Sequence, residues 1–187
     1  MKIEAKKHID QSVARLKDDL TQIKAIIKGL DESTLNQLEG PKKWSILQTL
    51  QHLTLANTIY VKNIDIAFEK YEKGSAEIYQ SHWKGDWFTR LISPKQDGEV
   101  KNKMKTVGSM APDQELDSKE IIPEFFELHE KFIEQMEESR KYNLNRVKIT
   151  TGFGPLVKLR LGDVFSFLIA HVERHIIQIK RIKAAVT

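Results

Sequence analysis

Cysteine is absent from this sequence of 187 residues. Its absence excludes disulfides, thiolate metal ligands and a cysteine nucleophile. Any metal ion must therefore be held by nitrogen and oxygen atoms, as in sites built from imidazoles and carboxylates. For the same reason, any thiol chemistry needs a thiol supplied from outside the chain.

Long hydrophobic runs are also absent, because no stretch approaches the roughly 20 apolar residues of a membrane-spanning helix. The first seven residues, MKIEAKK, lack the apolar centre of a secretory signal peptide. We therefore expect a cytoplasmic protein without membrane contact. The length fits a single domain over residues 1–187.

Few features favour nucleic acid as a partner. The net charge is +4 and the isoelectric point is near 9.1, but lysine and arginine are scattered rather than gathered in a stripe with aromatic residues. No glycine-rich phosphate loop and no repeat is visible. We therefore expect a small-molecule substrate and no nucleic acid.

Apolar residues recur at helical spacing in four long segments, which predicts an all-α four-helix bundle. The helices are expected at about 4–30, 46–73, from Asp117 or Pro123 onward, and 161–183. Ser45 and Gln48 form a capping-box pattern at the start of the second helix, which gives Gln48 a structural role. Residues 147–159 contain a turn and are expected to form a small hairpin or an extended stretch.

The long connection from Gly74 to Asp117 has no sustained helical period. A loop of this length usually covers something or is disordered, and its aromatic residues argue against disorder. We expect an ordered crossover with a short helix near Trp83–Leu91 or Val100–Lys105. His82, a lone loop histidine, is a weak candidate for substrate contact.

Two histidines of the last helix carry the strongest functional signal. His171 and His175 lie one turn apart on one helix face, inside its apolar stripe, whereas Asp163 and Glu173 fall on the polar side. Two imidazoles aimed at a core need hydrogen-bond partners or a shared ion. A divalent metal meets that need, because neutral imidazole is a common ligand.

The remaining helical histidines are more ambiguous. His52, near the start of the second helix, reads alone as a hydrogen-bonded core residue, but the pair elsewhere makes it a candidate ligand. His129 occupies a core position of the third helix and is a candidate fourth ligand, a supporting partner of the site or a buried hydrogen-bonded residue. The last two are favoured, because nothing pairs with it at i, i+4. His8 lies beside the seam of the first helix and is expected to be exposed.

These motifs resemble the DinB/YfiT-like superfamily of metal-binding four-helix bundles over nearly the whole chain. The resemblance rests on a W-S-x₆-H-L start of the second helix, a long loop before the third and an H-x-x-x-H-x-x-Q run in the fourth. The residues that carry it are Trp44, Ser45, His52, Leu53, Pro112, His171, His175 and Gln178.

The resemblance implies that His52, His171 and His175 bind a divalent metal, zinc or nickel. It also implies an up-down-down-up helix order with the long crossover between helices two and three, and a homodimer. Val172 follows the first histidine of the pair, so the H-E-x-x-H pattern of zinc proteases is excluded.

Three histidines leave an open metal position, which is typical of catalytic rather than structural sites. The resemblance favours a metal-dependent enzyme that transfers a low-molecular-weight thiol, with a metal-dependent hydrolase as the alternative. A bundle that binds metal or ligand without catalysis, in stress response, is a further alternative. His129, Tyr60 and Asn57 are possible pocket residues, each with a structural interpretation beside it.

Overall fold

The computed structural model describes residues 1–94, 106 and 108–187. Its helices are α1 (Ala5–Ile27), α2 (Glu32–Asn36), α3 (Ile46–Lys70), α4 (Trp83–Ile92), α5 (Ser118–Glu138) and α6 (Leu161–Val186). Two antiparallel pairs of strands accompany them: β1 (Lys2–Glu4) with β2 (Ile78–Gln80), and β3 (Lys148–Thr151) with β4 (Gly154–Arg160).

The four long helices are those that the periodicity predicts. α1 packs against α5 and α6, and α3 packs against the same two helices from the other side. The seam of α1 is buried along its length; its core residues are Ile9, Val13, Leu16, Leu20 and Ile23. The predicted helical bundle is therefore confirmed, and α4 packs on the outside of α6.

Side chains cap the helices where the sequence predicts. Ser45 accepts a hydrogen bond from the backbone of Gln48, and the Gln48 side chain accepts one from the backbone of Ser45. Asp117 caps α5 at its start, so Pro123 lies inside the helix rather than at its beginning. A capping box satisfies two backbone donors that the first turn would otherwise leave unpaired.

The crossover contains the short helix expected near Trp83, which is α4. The alternative position, Val100–Lys105, lies outside the described residues. The hairpin expected within residues 147–159 is present as β3 and β4, and its first strand packs on α3. No helix in the described part of the chain is long and apolar enough to cross a membrane.

Two expectations about exposure are wrong. His8 is only 4% exposed and Asp163 only 2%. Both lie near the start of their helices, where β2 brings Tyr79 against them: its ring stacks on His8 and its hydroxyl donates a hydrogen bond to Asp163. The periodicity of a helix cannot predict the burial of His8 and Asp163, because Tyr79, which covers them, comes from the crossover.

Candidate metal centre

Three histidines from two helices converge at one point of the bundle. α3 contributes His52, and α6 contributes His171 and His175 from consecutive turns. One ring nitrogen from each lies within 4.8 Å of the others. Within the described residues, these three histidines form the one group of at least three His, Cys, Asp or Glu side chains placed closely enough to share a metal ion.

The outer nitrogen of each ring has its own acceptor. His52 Nδ1 donates to the carbonyl oxygen of Met110 over 2.8 Å, and His175 Nδ1 donates to Gln178 Oε1 over 2.9 Å. His171 Nδ1 donates to Asn57 Oδ1 over 3.3 Å. Because each Nδ1 carries the proton, each Nε2 presents a lone pair towards the centre of the cluster.

Burial keeps these rings neutral. It lowers the pKa of His175 to about 3, and together with the neighbouring imidazoles it lowers the pKa of His171 well below its usual value. Burial lowers the pKa of His52 as well, partly offset by the hydrogen bond to Met110. Neutral imidazole is the protonation state that binds a metal.

The spacing of the inner nitrogens fits a shared cation. His171 Nε2 and His175 Nε2 are 3.2 Å apart. Two nitrogens bound to one tetrahedral zinc lie roughly 3.3 Å apart, since zinc–nitrogen bonds measure about 2.0–2.1 Å. Converging lone pairs repel one another without a cation or a proton between them, so the chemistry of this donor set matches a divalent metal.

Two of the possible pocket residues, Asn57 and His129, are linked to His171 of the cluster by hydrogen bonds. Asn57 and His129 are each 1% exposed, and Asn57 Nδ2 donates to His129 Nε2 over 2.9 Å. His129 Nδ1 donates to the carbonyl oxygen of Phe125. Burial lowers the pKa of His129 to about 4, so this ring is neutral and both of its nitrogens are engaged.

The other two candidates play structural parts. The Tyr60 hydroxyl is buried, which raises its pKa to about 12, and it accepts a hydrogen bond from the backbone of Gly152. His82 caps the start of α4, where its Nδ1 accepts from the backbone of Lys84. Neither residue joins the cluster.

Trp44 lies between the cluster and the surface. Its ring centroid is 4.8 Å from that of His52 and 6.4 Å from that of His175. Trp44 and Gln48 also line an open groove of about 1280 Å³ at this end of the bundle. Six charged side chains share that groove: Lys42, Lys43, Lys119, Glu32, Glu115 and Asp117. The groove reaches the cluster's neighbour Trp44, but none of the three histidines lines it.

Two partners of the cluster were not predicted from the sequence. Gln178 belongs to the quoted motif and lies three residues after His175, so helical spacing could have indicated its contact. The carbonyl of Met110 has no such signal, because it comes from a 3₁₀ turn (Gly108–Met110) in the crossover.

The sequence matches the family model of the DinB superfamily over residues 15–179. The chain belongs to the DinB superfamily. Among solved structures, this DinB-superfamily chain is similar to YfiT from Bacillus subtilis, with 13% sequence identity and a TM-score of 0.59. The match covers 94% of this chain and 86% of that chain.

YfiT is described as "a probable metal-dependent hydrolase with an unusual four-helix bundle topology". At this identity the likeness shows the four-helix-bundle fold. A comparison with curated proteins gives no match.

Proposed function

We propose that this protein is a metal-dependent enzyme in which His52, His171 and His175 hold a divalent cation, zinc or nickel. The observation that carries the proposal is the convergence of three neutral imidazoles whose outer nitrogens all donate to acceptors. Second ring nitrogens held in this way are a regular feature of metal-binding histidines.

A bound divalent cation would lower the pKa of a water or thiol at its open position, and so supply a nucleophile near neutral pH. Among the described residues, the pocket side chains considered above supply no base for that step. Both ring nitrogens of His129 are engaged in hydrogen bonds, the side chain of Asn57 is a neutral amide that does not act as a base, and the hydroxyl of Tyr60, with its raised pKa, stays protonated at neutral pH.

The reaction we propose is the transfer of a low-molecular-weight thiol to an electrophile. The thiolate sulfur forms a bond to an electrophilic carbon, the leaving group departs with the electrons of its bond, and the thiol proton passes to solvent. The chain has no cysteine, so the thiol must enter from outside. The charges of both signs in the groove beside Trp44 suit a peptide-like thiol with an ammonium and carboxylates.

Metal-dependent hydrolysis is the second candidate. It is favoured by the similarity to YfiT, which carries that description. It requires the same three histidines, with water in place of the thiol. A non-catalytic metal-binding bundle is the outcome if neither reaction depends on the metal.

The first experiment is elemental analysis of tag-free protein purified without chelator, for the wild type and for His171→Ala. We expect about one zinc or nickel ion per chain in the wild type and none in the variant. His82→Ala, which removes a histidine outside the cluster, is the matched control and should retain the metal. A wild type that contains no metal and takes none up would contradict the proposal.

Turnover then separates the two reactions. Thiol transfer predicts product only when metal and a small thiol are both present, measured with a halogenated aromatic electrophile and a set of small thiols. Hydrolysis predicts metal-dependent cleavage of ester or amide substrates without any thiol. Activity that survives chelation in both assays would exclude both reactions as proposed.

The up-down-down-up helix order is also a proposal, and two contacts support it. His8, in the first turn of α1, bonds to Gly162 in the first turn of α6. Gly74, just after α3, bonds to Lys141 just after α5. These contacts suit α1 parallel to α6 and α3 parallel to α5.

We likewise propose a cytoplasmic homodimer. The exposed side chains of Trp83, Trp87 and Leu156 provide apolar surface for the packing of a second copy. Light scattering after size-exclusion chromatography tests the dimer, and a mass of 21.6 kDa, that of one chain, would contradict it.

A further inference from the structure

A directed chain of hydrogen bonds runs from α5 through α3 to α6. His129 Nδ1 lies 2.6 Å from the carbonyl oxygen of Phe125, which can only accept, so this nitrogen carries the ring proton. The other ring nitrogen of neutral His129 must therefore accept, and it takes its hydrogen bond from Asn57 Nδ2 over 2.9 Å.

The same logic continues to the histidine cluster. With its amide nitrogen turned to His129, Asn57 presents Oδ1 to His171 Nδ1 at 3.3 Å. An amide oxygen can only accept, so His171 Nδ1 must hold the proton and Nε2 must hold the lone pair. The backbone carbonyl of Phe125 thus determines the tautomer of His171 through two side chains.

Burial makes this chain rigid. Asn57 and His129 are each 1% exposed, so water does not readily replace a lost partner. A buried amide left facing an unsuitable group keeps the cost of its desolvation, which opposes rotation of Asn57 while His129 is in place.

The three histidines differ in how their tautomers are set. His52 donates directly to a backbone carbonyl, that of Met110. His175 donates to Gln178, whose amide can exchange donor for acceptor by rotating. His171 alone depends on a side chain that is itself held by a second side chain.

We propose that Asn57 and His129 are positioning residues that hold His171 as the Nδ1-protonated tautomer and thereby set the metal affinity of the site. Neither residue contacts the metal in this proposal. The inference rests on the proposed three-histidine metal site, and it adds a residue on α5, His129, to a site whose ligands come from α3 and α6.

The test compares metal affinity in three variants. His129→Leu leaves the Asn57 amide free to rotate, and Asn57→Leu removes the acceptor of His171. His129→Gln offers a side-chain oxygen that can accept from Asn57 and should restore much of the effect. Loss of an outer hydrogen-bond partner typically weakens metal binding 10–100-fold, so we expect that loss for both leucine variants, measured by zinc competition with a chelator.

Gln135→Leu is the matched control. Gln135 lies on the same helix as His129, is 5% exposed, and also links α5 to α3, because its amide donates to the carbonyl oxygen of Val61. Gln135→Leu should reduce thermal stability about as much as His129→Leu does, while zinc affinity stays within about twofold of the wild type. A purely structural role of His129 would make its variant behave like this control.

Nitrogen-15 NMR of the metal-free wild type reads the tautomer directly, independent of metal and of variant folding. We expect His171 as the Nδ1-protonated form, and a mixture of tautomers in folded His129→Leu. The Nε2-protonated form in the wild type would overturn the proposal, as would wild-type zinc affinity in the leucine variants. A wild type that binds no metal would overturn the proposed function. A wild type that binds metal but has the Nε2-protonated tautomer would overturn only this inference, so the two failures can be told apart.

Discussion

Histidine occurs in two side-chain clusters in the described part of this bundle, and the hydrogen bonds of its rings are arranged differently in the two. The histidine cluster consists of His52, His171 and His175. A second group, which we call the tyrosine cluster, consists of His8, Tyr79 and Asp163 at the start of α1 and α6. In the tyrosine cluster His8 donates to the carbonyl oxygen of Gly162, and Tyr79 donates to Asp163.

The contrast lies in where the lone pairs point. In the tyrosine cluster each named donor meets an acceptor, and Asp163 also accepts from the backbone of His82. In the histidine cluster the donors point outward and the Nε2 acceptors face one another. Burial lowers the pKa of His8 and of His52 alike, so protonation state does not separate the clusters. The arrangement of donors and acceptors does.

Removing one histidine from each cluster is the largest expected effect. If the three histidines bind zinc as proposed, we expect zinc to raise the melting temperature of the wild type. His175→Leu should abolish both zinc binding and this rise, because two imidazoles alone hold the ion weakly. His8→Leu should leave zinc binding unchanged and reduce stability by about 1–3 kcal/mol, since it removes the buried hydrogen bond from His8 to the carbonyl oxygen of Gly162. Zinc titration followed by calorimetry measures both, and loss of zinc binding in His8→Leu would break the comparison.

Gly162→Ala should strain the tyrosine cluster and leave the histidine cluster unchanged. A methyl group at this position would lie 2.5 Å from the Tyr79 ring, and that ring is fully buried. Overpacking of this kind costs about 1–3 kcal/mol. Urea unfolding measures the loss of stability, and Gly74→Ala, where nothing lies within 4 Å, is the control. An equal effect at both glycines would contradict the close contact.

Tyr79→Phe should have a smaller effect of the same kind. It removes the donor to Asp163 and leaves that buried carboxylate with the backbone of His82 as its remaining partner in this cluster. We expect a loss of about 1–2 kcal/mol, because an unsatisfied buried group retains its desolvation cost. Chemical denaturation measures this loss, and zinc affinity should not change. A change in zinc affinity would show that the two clusters are coupled.

Asp19 extends the comparison to a buried carboxylate whose Oδ2 has no hydrogen-bond partner among the described residues. Burial, aided by the nearby charge of Glu173, raises its pKa from 3.8 to about 7. The folded chain therefore binds more protons than the unfolded chain between these values, and stability falls as pH rises through that window. Asp19→Asn should raise the melting temperature at pH 8 and have little effect at pH 4. The same change in melting temperature at pH 4 and at pH 8 would exclude the titration of Asp19 as the cause.

Much of the site could be predicted because its signals are local. The i, i+4 spacing places His171 and His175 on one face of α6, and the capping box places the start of α3 two turns before His52. Joining these helices at one point required the family resemblance, since periodicity says nothing about which helix faces which. The same limit explains why helix periodicity places His8 and Asp163 on exposed faces, although Tyr79 from β2 covers both.

The sequence by itself determined the four amphipathic helices, the side-chain caps of α3 and α5 and the histidine pair, because each depends on residues within a few turns of one another. Only the tertiary structure decided that Met110 meets His52 across 58 positions and that Asn57 meets His171 across 114. Hydrogen bonds of this kind are set by the path of the chain. They need a donor and an acceptor that packing brings together, and no local sequence pattern predicts such a long-range contact.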